Sequence, residues 1–159
     1  MSVGKTIGAQ LSNGFPGKYA IQPDMLISAS ISDDENMILF GVALQYTDAT
    51  KTKVKTMATG AKMDDFAGIS AADVRTNFST PHNEVSNSGY NINDTVNVFQ
   101  RGSISVLAGG SVKRGDSVNW DPAKGFVNTG GIAITNAKFE ADALEGEVTA
   151  ITLLTKANI

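Results

Sequence analysis

The sequence predicts an all-β protein: an antiparallel β-sandwich or barrel, jelly-roll or tulip-like, with an extended N-terminal arm. Three observations support this. Apolar and polar residues alternate in short runs, the period of a strand with one face on a core. These runs recur about every 8–12 residues with glycine-containing turns between them. No segment sustains the apolar stripe of a long helix; in 60–75, Phe66, Ile69 and Val74 do not keep a helical period.

At 159 residues the chain suits a single β domain, 25–159, preceded by an arm at 1–24. The net charge of −3 lacks the basic footprint of a nucleic-acid surface, so no nucleic-acid partner is expected. There is no cysteine, hence no disulfide and no thiolate metal site. No run approaches the ~18 apolar residues of a membrane helix, so no membrane partner is expected. Residues 1–20 lack the charged start and apolar stretch of a signal peptide, and none is expected.

In chain order, residues 1–24 scatter Gly4, Gly8, Gly14, Pro16, Gly17 and Pro23, a density that prevents a helix and interrupts a ladder. They also hold Ile7, Leu11, Phe15, Tyr19 and Ile21, too apolar for a solvated tail. The segment reads as an extended strip on its own domain or as an arm on a neighbour. Residues 25–31, MLISASI, alternate as a short strand and meet a polar turn at Asp33–Asn36. That turn lacks the spacing of a calcium loop. Residues 37–46, MILFGVALQY, are the most apolar run and read as one buried strand with a bulge at Gly41. Residues 51–57 alternate lysine with Thr or Val, a common way to blunt a sheet edge. An anion-binding stripe is the alternative, and no aromatic residue interleaves the lysines to support it.

Residues 60–75 read as strand or irregular structure, with room for one helical turn at Ser70–Asp73. Residues 77–93 form a long polar loop with a short strand near Val85; such loops are often binding surfaces. Thr95–Gln100 alternates and leads into residues 101–121, RGSISVLAGGSVKRGDSVNWD, around which the rest is organised. There Ile104, Val106 and Ala108 face a core, and Gly109-Gly110 breaks the run. Lys113–Asp116 is a turn with glycine at the position that needs positive φ. Ser117–Trp120 resumes as a strand that Asp121-Pro122 stops. Short strands follow at Phe126–Val127, Ile132–Ile134 and Ala137–Ala141, and the clearest β-branched strand at Val148–Leu154.

Chemistry-bearing patterns are few. His82 is the only histidine, and no metal-ligand spacing or orienting acid accompanies it. Gly4-Lys5-Thr6 imitates the end of a phosphate-binding loop without the preceding strand. Arg114-Gly115-Asp116 matches a short adhesion-receptor motif, but turn chemistry alone accounts for Gly and Asp there. The V-x-x-G-D-x-V pattern of 112–118 is shared with biotinyl and lipoyl carriers, yet the acceptor lysine they need is missing. No enzyme and no cofactor is expected.

From Phe99 onward the chain resembles the structural cement, or head decoration, proteins of tailed bacteriophages. The resemblance lies in R-G-x-I-x-V at 101–106, V-x-x-G-D-x-V at 112–118, A-x-F-x-A-D-A at 137–143, and Gly146, Val148, Ile151 and Leu153 in the last strand. The apolar arm ahead of a β domain is similar too. The resemblance implies a protein docked on the outer surface of an icosahedral head, part of the virion. It would sit at local symmetry axes as a homodimer or homotrimer and bridge neighbouring copies of the major capsid protein. A bridge of this kind needs a rigid domain and exposed edges or arms rather than a catalytic group. Phe15, Pro16, Tyr19 and Ile21 are the expected partner-binding anchors. The alternative is a β-sandwich binding module for a sugar or cell-surface receptor, using loop 77–93 or the Arg114–Asp116 turn.

Overall fold

One strand, β7 (Thr95–Leu107), is the spine of the molecule. The computed structural model describes residues 16, 17, 19–72 and 89–155, with the backbone alone for 19–24. β1 (Tyr19–Ser32) pairs antiparallel along one side of β7, from Tyr19↔Ile104 to Ile31↔Thr95. On the other side β7 meets β5 (Phe66–Ser70) through Phe99 and Val98, then β11 (Val148–Leu153) through Gly102 to Leu107.

Two groups of strands grow from this spine. In the first, β3 (Ala43–Tyr46) joins β5 to β4 (Lys53–Thr56), and β4 meets the end of β1 in parallel at Ile31 and Ser32. The order β1-β4-β3-β5-β7 closes through the β1–β7 pairing into a five-stranded barrel. In the second, β11 is followed by β10 (Ile132–Phe139), β8 (Ser117–Asp121) and β9 (Gly125–Val127). β9 returns to the end of β7 through a bridge between Ala108 and Phe126. A two-stranded ribbon, β2 (Ile38–Leu39) with β6 (Gly89–Tyr90), and one 3-10 turn at Met63–Asp65 complete the described chain.

Neighbouring residues of β3 and β5 face two different cores. Leu44 and Ala67 pack with Val54, Val96, Val98, Phe40 and Tyr90, where the Phe40 and Tyr90 rings meet edge to face at 5.3 Å. Ala43, Phe66 and Ile69 turn the other way, to Trp120, Phe126, Ile134, Phe139 and Ile151. Strands covered on both faces need apolar residues at successive positions, which is why MILFGVALQY is so apolar. It is nevertheless two strands. Gly41, at φ +74, turns the chain between β2 and β3, and its N–H donates to the Ser70 carbonyl at 2.8 Å.

Other expectations are corrected in the same way. β4 is no sheet edge: it lies between β3 and β1, with Val54 fully buried and Lys53 exposed on the outside of the barrel. The runs flanking Gly102 form one strand, which passes the glycine at φ +112. The runs 132–134 and 137–141 are also one strand, β10, with a register shift between Ile134 and Lys138. Residues 60–75 keep the strand reading, since Phe66–Ser70 form β5 and Ala71 and Ala72 donate to the carbonyls of Asn97 and Gly17; Asp73 lies outside the described residues. The strand expected near Val85 lies outside the described residues.

The organising stretch behaves as its pattern predicts. Ile104, Val106 and Ala108 are buried, and Gly115 turns at φ +88. The alternate positions differ from one another: Ser103, whose hydroxyl donates to the Glu140 carboxylate, and Ser105 are buried as well, whereas Leu107 is exposed.

Candidate functional site

Of the four expected anchors, the structure places Pro16 and the backbone of Tyr19 and Ile21. Phe15 lies outside the described residues. Pro16 is half-buried. Gly17 donates its N–H to the Ser105 carbonyl at 2.8 Å and accepts from Ala72 N–H at 2.8 Å. A side chain at Gly17 would meet Phe40 Cβ at 2.7 Å, and one at Gly41 would meet Pro16 Cβ at 2.9 Å. Only glycine allows this close crossing, and both glycines also need positive φ. Tyr19 and Ile21 then pair through their backbones with Ile104 and Ser103. The chain is therefore held at Gly17 between β7 and Ala72, and its backbone is laddered on β7 from Tyr19 onward.

Further along β1 the surface turns apolar. Leu26 and Ile31 are each 44 % exposed. Leu26 lines a cleft of about 330 Å³ together with Tyr46, Lys51, Asp64, Phe66, Ala67, Gln100, Asn136 and Thr155. Gln100 donates its amide N–H to the Tyr46 hydroxyl at 3.2 Å, and burial of that phenol raises its pKa. Lys51 stands over the Tyr46 ring, its ammonium 5.8 Å from the centroid.

Lys51 adopts φ +56, an unusual conformation for a residue with a side chain. The turn around it is fixed by Asp48, whose carboxylate accepts from the Thr50 hydroxyl, the Thr52 hydroxyl at 2.6 Å and the Lys53 N–H at 2.9 Å. Those bonds, the Thr50 hydroxyl's first, hold Asp48 far below the ordinary carboxylate range.

The Arg114-Gly115-Asp116 turn is occupied with its own structure. Asp116 accepts from Asn128 Nδ2 at 2.8 Å and from Lys113 N–H at 2.9 Å, and its pKa is lowered accordingly. Arg114 N–H donates to Asp142 Oδ1 at 2.8 Å. Loop 77–93 is described only from Gly89, where β6 pairs with β2. His82 and Gly4–Thr6 lie outside the described residues. Among the described residues no three His, Cys, Asp or Glu side chains gather as metal ligands, and no helix is long and apolar enough to cross a membrane.

Sequence reasoning placed the candidate site in the arm. It missed the exposed part of β1 and the cleft beside it, because Leu26 and Ile31 look like ordinary core-facing residues of a strand.

Residues 3–154 match the family described as "Structural cement protein (E217 gp24/Pam3 gp6)". No curated protein matches the chain in sequence. Several solved structures share its fold, two of them from phage particles. One is the capsid of Myoviridae phage XM1, with TM-score 0.60, 17 % identity, and coverage of 96 % of this chain and 97 % of that one. The other is the head fiber gp8.5 N base of bacteriophage phi29, with TM-score 0.52, 14 % identity, and coverage of 86 % of this chain and 100 % of that one.

Proposed function

Because this chain belongs to the structural cement proteins of phage, and is a decoration component of the phage head, we propose that it bridges neighbouring copies of the major capsid protein from the outer surface. The match over residues 3–154, nearly the whole chain, carries this reading. A cement protein works by holding, and each contact can be modest. A bridge attached at several points gains from effective concentration, so dissociation at one point is followed by recapture. Binding only the assembled shell also stabilises that shell by mass action.

The protein acts as a homodimer or homotrimer, which multiplies the points of attachment. Residues 1–24 form an arm that adds to the contact, with Phe15, Pro16, Tyr19 and Ile21 as anchors. The clamped crossing of Gly17 and Gly41 supports this, because it gives the arm a fixed point of departure. The alternative receptor-binding module loses its best residue, since the Asp116 carboxylate is committed to its own turn.

The test uses phage heads that lack this protein. Added protein should co-sediment with them and raise the temperature at which they rupture. Removing residues 1–14 should weaken both effects. Heads that neither retain the full chain nor gain heat resistance would refute the proposal.

A further inference from the structure

β1 carries an open backbone edge. Ser32 N–H donates to the Asp94 carbonyl at 2.9 Å, towards β7, whereas Ile31 N–H donates the opposite way, to the Thr52 carbonyl at 2.9 Å. These directions alternate along a strand. Pairing with β7 is regular from Ile27↔Phe99 to Ile31↔Thr95. The N–H and C=O groups of Ile27 and Ala29 therefore point away from β7. β4 covers that side at Ile31 and Ser32, and among the described residues no strand covers it at Ile27 or Ala29. Ala29 is exposed.

Residues 25–32 themselves carry no feature that blunts this edge. Proteins usually blunt such edges with charge, proline or a covering element. Residues 25–32, MLISASIS, contain neither charge nor proline. The cleft lined by Leu26, Tyr46, Phe66 and Gln100 opens beside it. Strand addition gains affinity from backbone bonds and specificity from a neighbouring side-chain pocket, and both parts are present here.

We propose that an extended, uncharged segment of the shell protein adds as a strand to β1 at Ile27–Ala29 and places one apolar side chain in the cleft. This rests on the reading that the shell is the partner. Lys51 and Asp64 put one charge of each sign on the cleft, so a neutral side chain suits it. The β1 strand of a second copy does not fit in the symmetric register centred on Ser28. Paired antiparallel about Ser28, it would bring its own residue 25 opposite Ile31, where Thr52 already sits. The occupant is instead a segment of about four or five residues, roughly 15 Å, that ends or turns at Thr52.

Ala29→Pro tests this, because it removes an outward N–H without touching the β7 ladder, and proline is tolerated at an edge. Retention on heads lacking the protein should fall about tenfold or more, the scale of a lost backbone pairing. The near-ultraviolet signal of Trp120 should stay as in the wild type. Amide exchange of the wild-type protein gives a second measurement, valid even if the variant fails to fold. The Ile27 and Ala29 amides should exchange freely in solution and become protected on heads. Wild-type-like retention of the variant, or unchanged exchange on heads, would overturn the strand addition alone. Protection that grows with protein concentration, without heads, would assign the edge to a second copy and overturn it too. Failure of the wild type to bind heads would instead remove the reading beneath it.

Discussion

The Trp120 indole donates its N–H to the Met57 carbonyl at 2.8 Å, across 63 residues of sequence. Met57 follows the last strand residue of β4, and Trp120 lies on β8, so this bond ties the barrel to the second group of strands. Trp120 is 4 % exposed, and its ring meets Phe126 edge to face at 4.9 Å.

Trp120→Phe should therefore separate the bond from the packing. Phenylalanine keeps most of the apolar volume but leaves the Met57 carbonyl without its donor. An unmet buried acceptor costs about 1–3 kcal/mol. Urea unfolding of the two proteins measures it. A difference within about 0.5 kcal/mol, the scale of a neutral surface change, would show that the bond adds nothing.

Gly41→Ala tests the crossing of Gly41 with Pro16–Gly17. The new methyl would stand 2.8 Å from the Gly17 nitrogen, in a backbone at φ +74. Strained backbone alone costs on the order of 1–3 kcal/mol, and the contact adds to it. Gly60→Ala is the control: φ is +85, yet the site is open, so only the backbone cost of about 1–2 kcal/mol applies. Thermal unfolding should rank Gly41→Ala well below Gly60→Ala, and limited proteolysis should cut the former faster within residues 1–20. Equal midpoints would mean that the close crossing of Gly41 with Pro16–Gly17 adds nothing to stability.

Stability should also fall in acid for an identifiable reason. Asp116 is held below its ordinary pKa by the Asn128 amide and then by the Lys113 N–H, and Asp48 by the Thr50 and Thr52 hydroxyls and the Lys53 N–H. Both folded-state values lie below the unfolded ones, so the folded chain binds protons less readily than the unfolded chain. Their stabilisation is complete above the unfolded value of about 4 and is lost as pH drops through the depressed folded values. Urea midpoints should be level from about pH 7 to 5 and decline below about pH 4. Asn128→Ala should move the Asp116 titration, followed by carboxyl NMR, back towards the ordinary range. An unmoved titration would remove Asn128 as the cause.

The sequence made some of this architecture legible and hid the rest for physical reasons. Turns were readable because Gly115 and Asp116 carry local chemistry that acts within four residues. Alternation found the buried set Ile104, Val106 and Ala108 for the same local reason. Closure was not readable. Whether Lys53–Thr56 is an edge depends on β1 meeting it from 22 residues away, a pairing with two residues of register and no local signal. MILFGVALQY looked like one strand because two cores bury opposite faces of the same region, which erases alternation. The side of β1 that no described strand covers at Ile27 and Ala29 was hidden as well, because MLISASI alternates the same way with or without a neighbour.

Asp116→Ala, finally, sets the bridging reading against receptor recognition. The carboxylate holds Lys113 N–H and Asn128 Nδ2, and the same turn is tied down by Gly115 N–H donating to Phe139 C=O at 2.8 Å. Removing the carboxylate frees two donors at an exposed turn, where water replaces the lost partner, so the loss of stability should be small. If the residue serves its own turn, the variant should unfold slightly earlier, lose the extra acid sensitivity that Asp116 contributes, and bind heads as the wild type does. If Asp116 instead meets a receptor, cell or glycan binding should vanish with little change in unfolding. Since one carboxylate cannot keep both donors and also offer its oxygens freely to a receptor, measuring both properties on this single variant decides between the two.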